Sequence, residues 1–273
     1  MENGTISYIQ SLREDLGIFR VTPDGGVPDF KAGQFLTLGL PFESKIVNRA
    51  YSIASSPVNK KFFEFVIRWV RRPLPGRLTS LLFNAKIGDK ISWAKPAGNL
   101  TINNTLPSGE KDTRRIVCIG GGTGLAPFVS FAQHLHDTND KREIVVLHGA
   151  SYVDELSYKQ LLTDLENDSI DKGKDKWNFK YRAAISRPEE WTNRAWNGHK
   201  GRIEQFLRSN DDGKSPLEEL VGEKITKDNT MFYVCGWQGT IDGTMDYLKN
   251  KNFVTEKNKR DDGSYEVKFE SYG

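Results

Sequence analysis

Over the N-terminal part of the chain the apolar positions come in short runs. Residues 34–40, 62–70 and 90–94 are rich in Phe, Val, Ile, Leu and Trp, and Pro23-Asp24-Gly25-Gly26, Pro57-Val58-Asn59 and Pro96-Ala97-Gly98-Asn99 punctuate the sequence around them. Short β-branched and aromatic runs between turn residues predict strands, and strands at this spacing predict a closed antiparallel barrel. A polar stretch over 103–113, with Pro107, Gly109 and charges at Glu110, Lys111 and Asp112, follows and marks the expected domain boundary. The pattern then changes. Residues 115–119 are a short apolar run ending in glycines, 125–135 have helical spacing, and 143–148, 179–184 and 231–235 are further buried-type runs with helical stretches between them. Strands alternating with helices predict a parallel, doubly wound sheet. The polar, Lys- and Asp-rich stretch 166–177 reads as a solvated loop. The expected organisation is therefore β plus α/β: a barrel domain over 1–108 and an α/β domain over 109–273.

Bulk properties narrow this picture. A length of 273 residues suits two domains, and fifteen Phe, nine Tyr and six Trp supply core material that a disordered chain lacks. A net charge of +3 is too weak to imply nucleic-acid binding. Two cysteines, Cys118 and Cys235, cannot build a disulfide scaffold or a four-thiolate cluster. Cys118 lies within an apolar strand and reads as core. The first twenty or so residues mix charges with apolar positions, unlike a secretion signal, and no segment approaches the roughly 18 apolar residues of a membrane span. A cytoplasmic, reducing setting is the expectation, with no metal.

Two motifs carry chemistry. Gly120-Gly121-Gly122-Thr123-Gly124-Leu125-Ala126-Pro127 directly follows a strand. Glycines at a strand-to-helix turn let a phosphate approach the backbone at the positive end of a helix, although a tight turn that merely packs the helix reads the same way. The spacing differs from the G-x-G-x-x-G dinucleotide pattern, and no Gly-Lys-Ser/Thr follows. In Arg49-Ala50-Tyr51-Ser52 an arginine fork can hold phosphate, and a tyrosine two positions on shares its side of an extended strand. Alone, the same residues read as a strand with an exposed arginine and a core tyrosine.

Arg49-Ala50-Tyr51-Ser52 resembles the Arg-x-Tyr-Ser flavin signature of the ferredoxin–NADP reductase family. The resemblance implies an antiparallel six-stranded β-barrel that binds FAD and a parallel doubly wound sheet that binds NADP. It implies that Arg49 binds the flavin diphosphate, Tyr51 stacks on the ring and Ser52 hydrogen-bonds near its N5, with Ala50 between them. Gly76-Arg77-Leu78-Thr79 looks like the second diphosphate contact, adding Arg77, Leu78 and Thr79, and Val66 would lie against the flavin. The glycine turn matches the nicotinamide-nucleotide motif, which brings in Gly122 and Gly124, with Thr123 near the flavin–nicotinamide junction. Ala150 ends the next strand, and Asp154-Glu155 is expected to open the following helix. Ser151 replaces a basic residue common in bacterial members.

Ser186-Arg187 and Gly201-Arg202 sit where NADP-specific members place their 2′-phosphate arginines, whereas an NAD site carries an acidic residue on the ribose. Cys235-Gly236-Trp237-Gln238 is similar to the Cys-Gly segment beside the nicotinamide, with Gly236 and Gln238 in the NADP site. Glu270-Ser271-Tyr272-Gly273 resembles the family's C-terminal Glu-x-Tyr, whose Tyr covers the flavin face that the nicotinamide must take and whose Glu joins a proton path; Gly273 replaces a further aromatic residue. Ser52, Cys235, Glu270 and Tyr272 are thus the candidate catalytic residues. The matches run in order from Arg49 to Tyr272.

The implied activity is electron transfer between NADP(H) and a one-electron carrier, ferredoxin or flavodoxin, by a monomeric enzyme. Arg71, Arg72 and Arg77 are candidate docking residues for an acidic carrier. The alternatives are an NADH-dependent flavin reductase of the cytochrome b5 reductase type and a flavin electron-transfer subunit.

Overall fold

The computed structural model describes residues 1–71 and 75–272; Arg72 and Gly273 lie outside the described residues. The chain divides into two compact units, Met1–Thr101 with Ala126–Thr138, and Ile102–Leu125 with Asn139–Gly273.

The first unit holds β1 (Glu2–Arg13), β2 (Leu16–Pro23), β3 (Phe35–Phe42), β4 (Lys45–Ser52), β5 (Phe63–Arg68), α1 (Arg77–Asn84), β6 (Lys90–Trp93) and α2 (Ala126–Asp137). The strands form a six-stranded antiparallel sheet in the order β4-β3-β6-β1-β2-β5. Its two edges meet just past β4, where the Ala54 N–H donates to the Glu64 carbonyl of β5 at 2.8 Å. Ile6, Phe19, Leu36, Leu38, Phe63, Phe65 and Trp93 fill the interior. The Phe63 ring lies 5.4 Å from that of Trp93. Each such side chain contributes on the order of 1.5–3 kcal/mol by leaving water. Helix α2 docks on the turn after β4: Ser130 Oγ donates to the Ser55 carbonyl at 2.8 Å and Gln133 Nε2 to that of Ala54 at 2.9 Å.

The second unit holds β7 (Arg115–Gly121), β8 (Ile144–Ala150), α3 (Lys159–Lys172), β9 (Phe179–Ile185), β10 (His199–Lys200), α4 (Pro216–Val221), β11 (Thr230–Gly236), α5 (Gln238–Asn250) and β12 (Val267–Ser271). All its strands are parallel, in the order β10-β9-β8-β7-β11-β12. Strands β7 and β11 are buried along their whole length, as expected for strands covered on both faces. The strand order reverses between β7 and β11. In open α/β sheets that reversal opens a crevice at the carboxyl ends of the strands.

The polar stretch after β6 is tied into this unit. The Asn103 N–H donates to the Tyr233 hydroxyl at 2.8 Å, and Arg142 Nη1 donates to the Asn103 carbonyl at 2.8 Å.

Two expectations are corrected. The stretch 166–177 is a loop only from 173 on, because α3 runs to Lys172 and buries Leu162, Leu165 and Ser169 along one stripe. Asp171 and Lys172 are exposed on the helix, Lys174, Asp175 and Lys176 are exposed in the turn after it, and Trp177 is buried, stacked on Phe179 at 5.6 Å. Asp154 and Glu155 lie in a separate 3₁₀ turn, Val153–Glu155, and α3 begins only at Lys159. No described helix is long and apolar enough to cross a membrane.

Candidate functional site

In the first unit the Arg49–Ser52 segment ends β4, with Arg49 opposite Leu38 and Tyr51 opposite Leu36 on β3. Arg49 and Ala50 are exposed, Tyr51 is half-buried and Ser52 is buried. The Tyr51 ring packs against the barrel core. Its hydroxyl is shut off from water with no partner among the described residues, and burial raises its pKa. An unsatisfied buried hydroxyl is costly, and a bound polar group would relieve that cost. Val66 is buried on β5.

Arg77, Leu78 and Thr79 form the first turn of α1, with Arg77 exposed and Leu78 in the core. The Thr79 and Ser80 hydroxyls both donate to the Gly76 carbonyl, at 3.0 and 2.9 Å. Of the docking candidates, Arg71 lies over the Trp69 ring at 4.3 Å and pairs with Glu14 at 3.3 Å. Arg77 lies 5.9 Å from the Phe42 ring.

In the second unit the glycine turn caps β7 at the strand reversal. Gly122 has φ +56 and starts a 3₁₀ turn through Thr123 and Gly124 to Leu125. A Cβ on Gly236 would lie 3.2 Å from Gly121 Cα, so the ends of β7 and β11 meet backbone to backbone. A crest of bare peptide is what a close-approaching phosphate needs.

Beside it, β12 continues the sheet to Ser271. Glu270 lies in register with Cys235 and Ser271 with Gly236, and the Tyr272 N–H donates to the Gly236 carbonyl at 3.1 Å. The Cys235 thiol is buried, and burial is the chief cause that pushes its pKa up. Burial also raises the Glu270 carboxyl, whose Oε2 has no partner among the described residues. Ser271 Oγ donates to Gln238 Oε1 at 3.1 Å.

The remaining candidates gather at the ends of β8 and β9. The Ser186 N–H donates to the Ala150 carbonyl and the Gly201 N–H to that of Ile185, each at 2.9 Å. Ser186-Arg187 and Gly201-Arg202 thus hang from one strand end, with both arginines exposed. Arg202 Nη1 stands 3.8 Å from Glu204 Oε1, and 3.6 Å from where a Gly239 Cβ would lie, at the start of α5. Tyr152 and Asn193, which no motif marks, also meet Arg187 here: Arg187 Nη1 donates to the Tyr152 hydroxyl at 2.8 Å, and Asn193 Nδ2 to the Arg187 carbonyl at 2.7 Å.

Comparison with known proteins gives a family model for each part of the chain. Residues 4–102 match the family model of the oxidoreductase FAD-binding domain, and residues 118–246 that of the oxidoreductase NAD-binding domain. The chain is 26% identical over 252 residues to the flavodoxin/ferredoxin–NADP reductase of Buchnera aphidicola subsp. Schizaphis graminum, covering 89% of this chain and 88% of that one. The chain belongs to the ferredoxin–NADP reductase family of flavin oxidoreductases. Within this family it is also 36% identical over 136 residues to the ferredoxin–NADP reductase of Azotobacter vinelandii, about half of each chain (50% and 49%). Its fold matches the crystal structure of a ferredoxin NADP+ reductase from Neisseria gonorrhoeae with bound FAD and NADP. The TM-score is 0.76 at 22% identity, over 98% of this chain and 97% of that one.

Proposed function

We propose that this ferredoxin–NADP reductase family member is an FAD-dependent enzyme that moves electrons between NADP(H) and a one-electron carrier, ferredoxin or flavodoxin. The observation that carries the reading is the Glu270-Ser271-Tyr272 strand, set in register beside Cys235 and Gly236 at the glycine crest. FAD supplies the step from a two-electron hydride to single electrons; the chain supplies binding, orientation and proton control.

The residues present fit both groups. In the region we assign as 1–108, Arg49 is an exposed cation for a diphosphate, Ala50 leaves the strand surface open beside it, and Tyr51 offers a ring with an unsatisfied buried hydroxyl. Ser52 would supply a buried hydroxyl to the flavin ring, and Val66 an apolar wall. The first turn of α1 brings Arg77, Leu78 and Thr79 to the same diphosphate. In the region assigned as 109–273, Gly122, Thr123 and Gly124 cradle the nucleotide diphosphate, with Ala150, Gly236 and Gln238 around it. Ser186, Arg187 and Arg202 take the 2′-phosphate, where an NAD site would carry a carboxylate.

Tyr272, pinned through its backbone to Gly236, holds the nicotinamide's place until the nucleotide displaces it. The Cys235 thiol stays protonated and orients the nicotinamide without acting as a nucleophile. Glu270, held toward its protonated form by burial, supplies a proton beside it.

The carrier is proposed to be acidic and to meet exposed basic residues such as Arg77, and the enzyme to act as a monomer. Mixing the NADPH-reduced protein anaerobically with ferredoxin and with flavodoxin tests this. At least one carrier should be reduced in the mixing transient, at a rate that falls with added salt. Failure to reduce either, with rapid reduction of free flavin instead, would contradict it.

A further inference from the structure

We infer that Asn193 and Tyr152 are positioning residues that set Arg187 for reading the 2′-phosphate, so that NADP preference depends on a buried amide that touches no ligand. The inference rests on the reading of Arg187 above.

Asn193 is 1% exposed, yet its side-chain amide is spent on the backbone of two different loops. Nδ2 donates to the Ser151 carbonyl at 3.0 Å and to the Arg187 carbonyl at 2.7 Å, while Oδ1 accepts from the Val153 N–H at 2.9 Å. Ser151 and Val153 belong to the loop after β8, and Arg187 to the loop after β9. The amide therefore clasps the two loops together. The turn Trp191–Asn193 delivers it, with the Asn193 N–H bonded to the Glu190 carbonyl at 2.8 Å.

The loop after β8 also carries Tyr152, which the clasp brackets on both sides. Arg187 donates to its hydroxyl and lies over its ring, 5.4 Å from the centroid. One guanidinium donor is thus fixed on Tyr152, and the others remain available to a dianionic phosphate. An arginine held in place loses less side-chain freedom when the phosphate arrives. A buried amide satisfied only by main chain is a device for geometry, because an apolar side chain there would take these partners from the Ser151 carbonyl and the Val153 N–H and leave the Arg187 carbonyl with the Glu190 N–H alone.

Calorimetric titration of the FAD-loaded protein with adenosine 2′,5′-bisphosphate and with 5′-AMP tests the inference, since the two differ only in the 2′-phosphate. Asn193→Ala should weaken the bisphosphate about tenfold and 5′-AMP hardly at all. Tyr152→Phe keeps the clasp and the ring and removes only the hydroxyl; it should cost about threefold to fivefold on the bisphosphate alone. Placed on top of Arg187→Ala, neither change should weaken the bisphosphate further, because both act through Arg187. Turnover should show the same split, with KM for NADPH raised and kcat unchanged.

Equal losses for both nucleotides would overturn the inference in favour of a purely structural role. So would unaltered bisphosphate binding in Asn193→Ala and Tyr152→Phe when Arg187→Ala abolishes the preference. If Asn193→Ala fails to fold, Tyr152→Phe and its combination with Arg187→Ala decide the matter. A wild-type protein that binds both nucleotides alike, and is indifferent to Arg187→Ala, would instead overturn the underlying reading of Arg187, and the inference with it.

Discussion

A Cβ built on Gly124 would fall 2.3 Å from the carbonyl oxygen of Cys235. The obstacle is backbone, which cannot swing away as a side-chain tip can. The glycine turn and the end of β11 therefore fit together only while position 124 has no side chain. Gly124→Ala should cost roughly 1–3 kcal/mol of stability by overpacking and should weaken NADP+ binding more than tenfold by lifting the crest. Chemical denaturation and equilibrium dialysis measure the two effects. Gly124→Ala with wild-type stability and wild-type NADP+ affinity would show that the crest tolerates displacement.

Tyr272 is expected to compete with the nicotinamide. Tyr272→Ser removes the ring and leaves the backbone bond to the Gly236 carbonyl available. NADP+ affinity should rise several-fold, and discrimination against NADH should narrow. Spectral titration with both nucleotides reads this. Unchanged affinity and unchanged preference would end the gating role.

Arg187→Ala and Arg202→Ala should each raise KM for NADPH about tenfold or more, the usual scale for a lost charge-assisted hydrogen bond. KM for NADH should change little. Steady-state kinetics with ferricyanide as acceptor give both constants. Equal effects on the two nucleotides would place the 2′-phosphate elsewhere.

His148 gives the second unit a pH-dependent stability. Its ring is fully buried on β8, with Nδ1 3.3 Å from the Tyr181 hydroxyl, and burial lowers its pKa from 6.5 to about 3. A folded value below the unfolded one means that the unfolded chain takes up the proton first as the pH falls. The stabilising contribution is complete above about pH 6.5 and is lost progressively as the pH drops toward 3, at up to about 1.4 kcal/mol per pH unit. His148→Leu should remove this slope in denaturation series run between about pH 7 and pH 4. An unaltered slope would assign the acid sensitivity to other groups.

Much of this was legible in the sequence, for physical reasons that differ by element. β7 and β11 are buried on both faces and read as continuous apolar runs, so periodicity alone located them. The glycine crest was visible because side chains are excluded there by backbone contact. Helix α3 was misread beyond Glu166 because it buries only a narrow stripe, and its outward Lys and Asp residues dominate the local composition. Trp177 beside Phe179 was the available clue, since two aromatic residues two positions apart announce the start of β9. The two-residue β10 is too short to leave a pattern.

The site was legible in parts. Arg49-Ala50-Tyr51-Ser52 and the C-terminal Glu-x-Tyr pointed to flavin and nicotinamide only through resemblance, because exposed arginines and terminal tyrosines are commonplace. Asn193 left no sequence signal at all: its importance lies in the three backbone groups that folding brings to it.

Anaerobic stopped-flow reduction of the FAD-loaded protein by NADPH and by NADH, followed at the flavin absorbance, tests the assignment most directly. The expected result is rapid bleaching by NADPH, with a second-order rate constant at least tenfold above that for NADH, and a difference that largely disappears when Arg187 and Arg202 are both replaced by Ala. A protein that takes up no FAD, or one whose flavin NADH reduces as fast as NADPH does, would contradict it.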